Sequence, residues 1–209
     1  MLVVHHLNNS RSQRILWLLE ELGVPYEIKQ YARDKVTNLA PPELIAIHPL
    51  GKSPVVTEGD ATIIESGAII DFIVRKHGAG QLSPKAGTPE YDTYQQWLHY
   101  AEGSAMLPLM LNMYVMRLAE GGAPLQPRIE SEMANHLGYV EKSLAGKDYL
   151  MGQFNAADVQ MSFVGEVVGA FGRAAQYPNI TAWVNRFQAR PAYRTALAKG
   201  GPYNMGPKD

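Results

Sequence analysis

Apolar positions along this chain change period near residue 80. Before it, short β-branched runs surround single helical stripes; after it, only the helical period recurs. Leu2-Val3-Val4-His5-His6-Leu7 reads as a strand that Asn8-Asn9 breaks. Ile15, Leu18, Leu19 and Leu22 then fall at i, i+3, i+4 and i+7, one face of a helix. Ser10 with Gln13 three residues on fits a capping box, and Gly23 suits the helix end. Residues 25–31 form a second strand, and residues 33–49 hold at most a short helix over 43–47. Pro54 lacks an N–H, so it fits the first position of an edge strand rather than a central one. Val55-Val56-Thr57 and Ala61-Thr62-Ile63-Ile64 are strands, with Glu58-Gly59-Asp60 as the turn between them. Ile69, Phe72 and Ile73 mark a helix over 66–77, which Ser66 can cap. The order is a parallel strand pair joined by a helix, then an antiparallel hairpin and a covering helix.

Residues 78–87 are rich in glycine and proline and read as a linker. Beyond it, helical stretches run over 89–120, 127–144, 155–177, 181–189 and 192–199, with Pro108 kinking or breaking the first. Asn155-Ala-Ala-Asp158 before Val159, Met161 and Val164 is a cap with an acid at the third helical position. Two domains follow from this division: 1–78, mixed α/β, and 88–209, all-helical.

The 209 residues are 46% hydrophobic with a net charge of −1, which supports a globular core and gives no basic footprint for nucleic acid. No apolar run approaches the roughly 18 residues needed to span a membrane. The first residues lack a basic segment followed by an apolar one, so a cytoplasmic protein is expected. Cysteine is absent, so the chain has no thiol of its own for redox work. The six histidines are scattered, and His5 and His6 point to opposite faces of their strand, so no metal is assigned. Gly51-Lys52-Ser53 imitates the end of a phosphate-binding loop, but Ala46 stands where that motif needs glycine and Pro54 starts a strand instead of a helix.

The stretch from Ser53-Pro54 to Glu65-Ser66 resembles the glutathione-binding half of cytosolic glutathione transferases, and the likeness covers essentially the whole chain. The resemblance implies a thioredoxin-like α/β N-terminal domain followed by an all-α helical domain. It implies a cis Ser53–Pro54 bond, with the Ser53 backbone meeting the cysteinyl part of glutathione. Glu65 and Ser66 would hold its γ-glutamyl end, and Asp158 is structural. Lys52 is the first candidate for the glycine carboxylate, with Lys35 and Asn38 as weaker ones. Glu102 would reach the γ-glutamyl amine of a partner subunit in a homodimer.

Conjugation needs the thiolate, whose free thiol has a pKa of about 8.5. A helix N-terminus and a hydrogen bond to sulfur both lower that value. They meet in the loop Leu7 to Arg11. The chain has no tyrosine before Tyr26 and no cysteine, so the resemblance is to bacterial members with a serine- or asparagine-type loop. Asn9 and Ser10 are equal candidates for the donor, and a backbone N–H is a third. A hydrophobic co-substrate is expected beside Asn8 and the long helix, against Tyr100, Met106, Met110 and Tyr114. The expected activity is glutathione S-transfer to a hydrophobic electrophile in detoxification. Glutathione-dependent peroxide or disulfide reduction and non-catalytic glutathione binding are the alternatives.

Overall fold

The computed structural model describes residues 1–207, with residue 119 described through its backbone only. The chain forms two compact units, residues 1–83 with 187–209 and residues 84–186.

The first unit is built on four strands: β1 (Leu2–Leu7), β2 (Tyr26–Tyr31), β3 (Val55–Glu58) and β4 (Ala61–Ile63). Their spatial order is β2-β1-β3-β4. β1 runs parallel to β2, Leu2 opposite Tyr26 and Leu7 opposite Tyr31, and antiparallel to β3, His5 opposite Val55. β3 is therefore internal rather than an edge strand. Pro54 stands just ahead of it, outside the ladder, where no N–H is needed. β1 is buried on both faces: Val4 and Leu7 join the core, and His5 and His6 are buried with separate partners.

Helix α1 (Ser12–Leu22) supplies the apolar stripe Ile15, Leu16, Leu18 and Leu19, each fully buried. Its expected capping box does not form. The helix begins at Ser12, which puts Gln13 at the second position instead of the third, and the Gln13 side chain turns into the core. Gly23 at φ 64° closes the helix, and Val24 N–H bonds the Leu19 carbonyl. Helix α2 (Ser66–His77) buries Ile69, Ile70 and Ile73. The short helix before β3 is a 3₁₀ turn, Pro42–Leu44.

The helical domain expected over 88–209 divides at residue 186, because the last helix groups with α1 in the first unit. The Trp17 ring lies 5.3 Å from both Phe187 and Tyr193, and Arg190 pairs with Glu21 at 2.6 and 2.8 Å.

The second unit contains α3 (Pro89–Tyr100), α4 (Met106–Val115), α5 (Gln126–Ser143), α6 (Ala156–Ala170) and most of α7 (Pro178–Gln188). The final helix, α8 (Pro191–Gly200), belongs to the first unit. A π-helical turn over Ala101–Ala105 separates α3 from α4. Pro108 has no N–H to give the carbonyl four residues back, and the widened turn lies just ahead of it. A 3₁₀ stretch, Met116–Leu125, follows α4. α6 is buried on every side from Ala156 to Val168. A Cβ at Gly165 would stand 2.7 Å from the Trp183 ring, so glycine permits that approach. α6 ends earlier than the apolar pattern suggests, because Gly172 turns the chain at φ 71° and Arg173 N–H returns to the Val168 carbonyl.

Candidate functional site

The start of α1 gathers three segments that the sequence holds far apart. Ser10 is nearly buried, and its hydroxyl lies 2.7 Å from Ser12 Oγ and 3.5 Å from Ser53 Oγ. The Ser53–Pro54 bond is cis. Ser53 Oγ donates to the His5 carbonyl at 2.8 Å, so its hydroxyl is committed to the strand. Its backbone lies beyond the last β1–β3 pair, outside the ladder. Arg14 reaches from the same helix and donates to Ser66 Oγ at 3.1 Å.

Glu65 and Ser66 meet at the head of α2, with roles that differ from a simple cap. Ser66 is the first helical residue and is buried, while Glu65 is the cap position and makes no capping bond with its side chain. Glu65 also holds φ 65° and ψ 116°, a region that non-glycine residues rarely occupy. The first helical bond runs from Ile69 N–H to the Glu65 carbonyl. The Glu65 side chain does not cap the N–H groups of the first turn, and its carboxylate is exposed beside them.

The loop after β1 is fastened from below. Arg33 donates to the carbonyls of Asn8 at 3.1 Å, Asn9 at 3.2 Å and Asn38 at 3.0 Å. Burial lowers its pKa, but guanidinium stays charged at neutral pH. Asn9 sits at φ 52°, which asparagine tolerates, and its Oδ1 accepts from Asn204 N–H at 2.7 Å. Asn8, Arg33, Lys35 and Asn38 border a cavity of about 410 Å³ together with His6 and Gly200. Lys52 is exposed, as is Lys35.

The second unit holds the other expected residues. Met106 is in its core at 2% exposure and presents no surface to a ligand, Met110 is half-buried and Tyr114 is exposed. The three share a face of α4 at four-residue spacing. Tyr100 lies across the π turn from them. Its hydroxyl meets His136 Nδ1 at 2.8 Å, and its ring packs on Trp97 and Tyr139. Burial, helped by Tyr139, pushes its pKa up to about 12, so it stays protonated. Glu102 is half-buried within the π turn. Asp158 completes a capping box with Asn155. It accepts from Asn155 N–H at 3.1 Å, Leu150 N–H at 3.0 Å and Trp183 Nε1 at 3.0 Å.

Sequence reading missed Arg14, Arg33, His6, Ser12 and Asn204. Only Arg14 carried a local sign: it stands four residues before Leu18, inside the apolar stripe, where a buried cation needs a partner.

A four-stranded mixed sheet with covering helices, followed in the chain by a helical unit, is a thioredoxin-like domain joined to an all-helical one. Residues 1–75 match the family model for the glutathione S-transferase N-terminal domain, and residues 102–191 match that for the C-terminal domain. Over 95% of its length the chain is 39% identical to glutathione S-transferase 3 of Schizosaccharomyces pombe, 88% of which is covered. It is 30% identical to glutathione S-transferase 1 of Saccharomyces cerevisiae, with 94% of each chain covered. A solved glutathione S-transferase from Actinobacillus pleuropneumoniae superposes with a TM-score of 0.88 at 33% identity, covering 98% of this chain and 95% of that one. The chain belongs to the glutathione S-transferase family.

Proposed function

We propose that this protein is a glutathione S-transferase that adds the glutathione thiolate to a hydrophobic electrophile. The observation that carries the reading is the convergence on α1 of the Leu7–Arg11 loop, the Ser53–Pro54 bond and the Glu65–Ser66 helix start. In this reading the Ser53 backbone pairs with the cysteinyl segment. The α2 start receives the γ-glutamyl carboxylate and Glu65 its ammonium. Lys52 takes the glycine carboxylate, with Lys35 and Asn38 as the alternative. A side chain or N–H of the Asn9–Ser10 loop stabilises the thiolate, which makes the loop one of serine or asparagine type. The α4 face with Met110 and Tyr114 offers adaptable apolar contact to the co-substrate. Family membership supports a homodimer, with Glu102 serving the partner's glutathione, at work in cytoplasmic detoxification.

Turnover with glutathione plus an aryl halide, an epoxide, an enone, a hydroperoxide and a mixed disulfide tests the reading. Conjugation of at least one of the first three is expected. Turnover of the peroxide or disulfide alone would assign reduction instead, and binding without turnover across the panel would make the protein a glutathione-binding module.

A further inference from the structure

Two hydrogen-bond chains reach the loop after β1, one from the last residue of α8 and one from the segment that follows it, all within the first unit. The first begins at the Gly200 carbonyl, 3.0 Å from His6 Nε2. A carbonyl only accepts, so Nε2 carries the hydrogen. Burial holds the His6 pKa below its ordinary value, with the bond to Gly200 opposing, so the ring is neutral at physiological pH and Nδ1 is an acceptor. Ser12 Oγ lies 2.8 Å from Nδ1 and gives it the hydroxyl proton; its other acceptor, the Leu7 carbonyl, is farther at 3.2 Å. With that proton spent, Ser12 Oγ can only accept across the 2.7 Å contact with Ser10. The Ser10 proton therefore points into the protein. Ser10 Oγ also accepts from Ser12 N–H at 3.2 Å, and Ser53 has its proton on the His5 carbonyl. What Ser10 has left for a ligand is lone pair, which repels a thiolate.

The second chain is a single bond. Asn204 N–H can only donate, so the Asn9 atom it holds at 2.7 Å is the carboxamide oxygen, and the flip of that group is settled. Asn9 Nδ2 has no hydrogen-bond partner among the described residues and is free to donate. Arg33, on the Asn8 and Asn9 carbonyls, holds the backbone that carries it.

We propose that the end of α8 and the turn after it form a positioning element of the thiol site. Its Asn204 N–H presents Asn9 Nδ2 to the glutathione sulfur, and Gly200, through His6 and Ser12, withdraws the Ser10 proton from it. Asn9 is then the catalytic donor, and His6, Ser12, Arg33 and Asn204 are positioning residues. This rests on the glutathione reading above.

Asn204→Pro removes the N–H that holds Asn9. Residue 204 is the second position of a turn closed by Gly206 N–H on the Tyr203 carbonyl at 3.2 Å, a position that favours proline. The rate of conjugation against pH should show the pKa of bound glutathione raised by about one unit, roughly tenfold less thiolate at neutral pH. The same shift should appear in a Ser10→Ala background and vanish in Asn9→Ala. Ser10→Ala alone should not raise the thiol pKa, and loss of the repelling lone pair should lower it if anything moves. A raised pKa in Ser10→Ala, or a shift by Asn204→Pro that survives Asn9→Ala, would overturn the assignment. Without glutathione, the Asn204 amide should exchange slowly with solvent deuterium and faster in Asn9→Ala. Equal exchange would overturn the pin itself. Absence of glutathione binding by the unaltered protein in calorimetry, with the amide still protected, would instead overturn the glutathione reading and with it the donor role.

Discussion

The heads of α2 and α6 look alike in sequence, each a small polar residue and an acid beside an apolar helical stripe, and they are built in opposite ways. At α6 the protein satisfies itself. Asn155 Oδ1 accepts from Ala157 N–H, Asp158 returns to Asn155 N–H, and the remaining carboxylate oxygen takes Leu150 N–H and Trp183 Nε1. At α2 the polar groups are spent elsewhere or left open. Ser66 is occupied by Arg14, Glu65 faces solvent in a strained backbone conformation, and its side chain does not cap the first N–H groups. A helix start that closes on its own side chains stabilises the fold; one that does not is available to an anion from outside.

The sharpest way to break this comparison is to remove both acids. Asp158→Ala strands three buried donors, each leaving an unmet desolvation cost, so unfolding in denaturant should show a loss of about 4 kcal/mol. Glutathione affinity in the fraction that folds should be unchanged. A loss under 1 kcal/mol would mean the α6 start does not need its acid.

Glu65→Ala should behave in reverse, with affinity in calorimetric titration falling about tenfold, ~1.4 kcal/mol, and stability nearly kept. Glu65→Gly should match it in binding while relieving the positive φ, so it should unfold no more easily than the parent. Wild-type affinity in either variant would remove Glu65 from the site.

The smallest effect is in pH. Burial, with Lys29 adding to it at His5, keeps both strand histidines below 6.5. The unfolded chain then binds more protons than the folded one below that value, so stability falls as pH drops under about 6.5. Asp158 pulls the other way. Burial pushes its pKa up to about 6 against the N–H groups that lower it, so the folded state keeps that proton longer. Its contribution therefore declines as pH rises from about 3.8 to about 6. Between about pH 7 and 5.5 the parent should lose stability, and Asp158→Asn should lose more because the opposing group is gone. An equal drop in both would return Asp158 to the ordinary carboxyl range.

Much of the scaffold was legible in local pattern. β1 coincides with the apolar run from Leu2 to Leu7, α2 with the stripe after Glu65, and the Asn155–Asp158 box with its motif. Those features depend on neighbours within four residues, which the sequence lists side by side. The failures have the same root. Ser10 and Gln13 have the spacing of a capping box, yet the helix opens at Ser12, and the Ser12 hydroxyl meets His6. Pro54 reads as an edge position, yet strand order decides edges, and β1 and β4 flank β3.

The sequence alone determined which residues could serve a thiol: no cysteine, no early tyrosine, and Asn9 beside Ser10 as neighbouring donors. It could not choose between them, because a hydroxyl and a carboxamide each both donate and accept. The choice lies in where the protons go, and that is fixed by groups about 195 residues away, the Gly200 carbonyl and the Asn204 N–H. Only the packing of α8 on α1 brings those groups to the loop. A hydrogen bond's direction depends on what its partners can accept, and partners are set by the fold rather than by chain order.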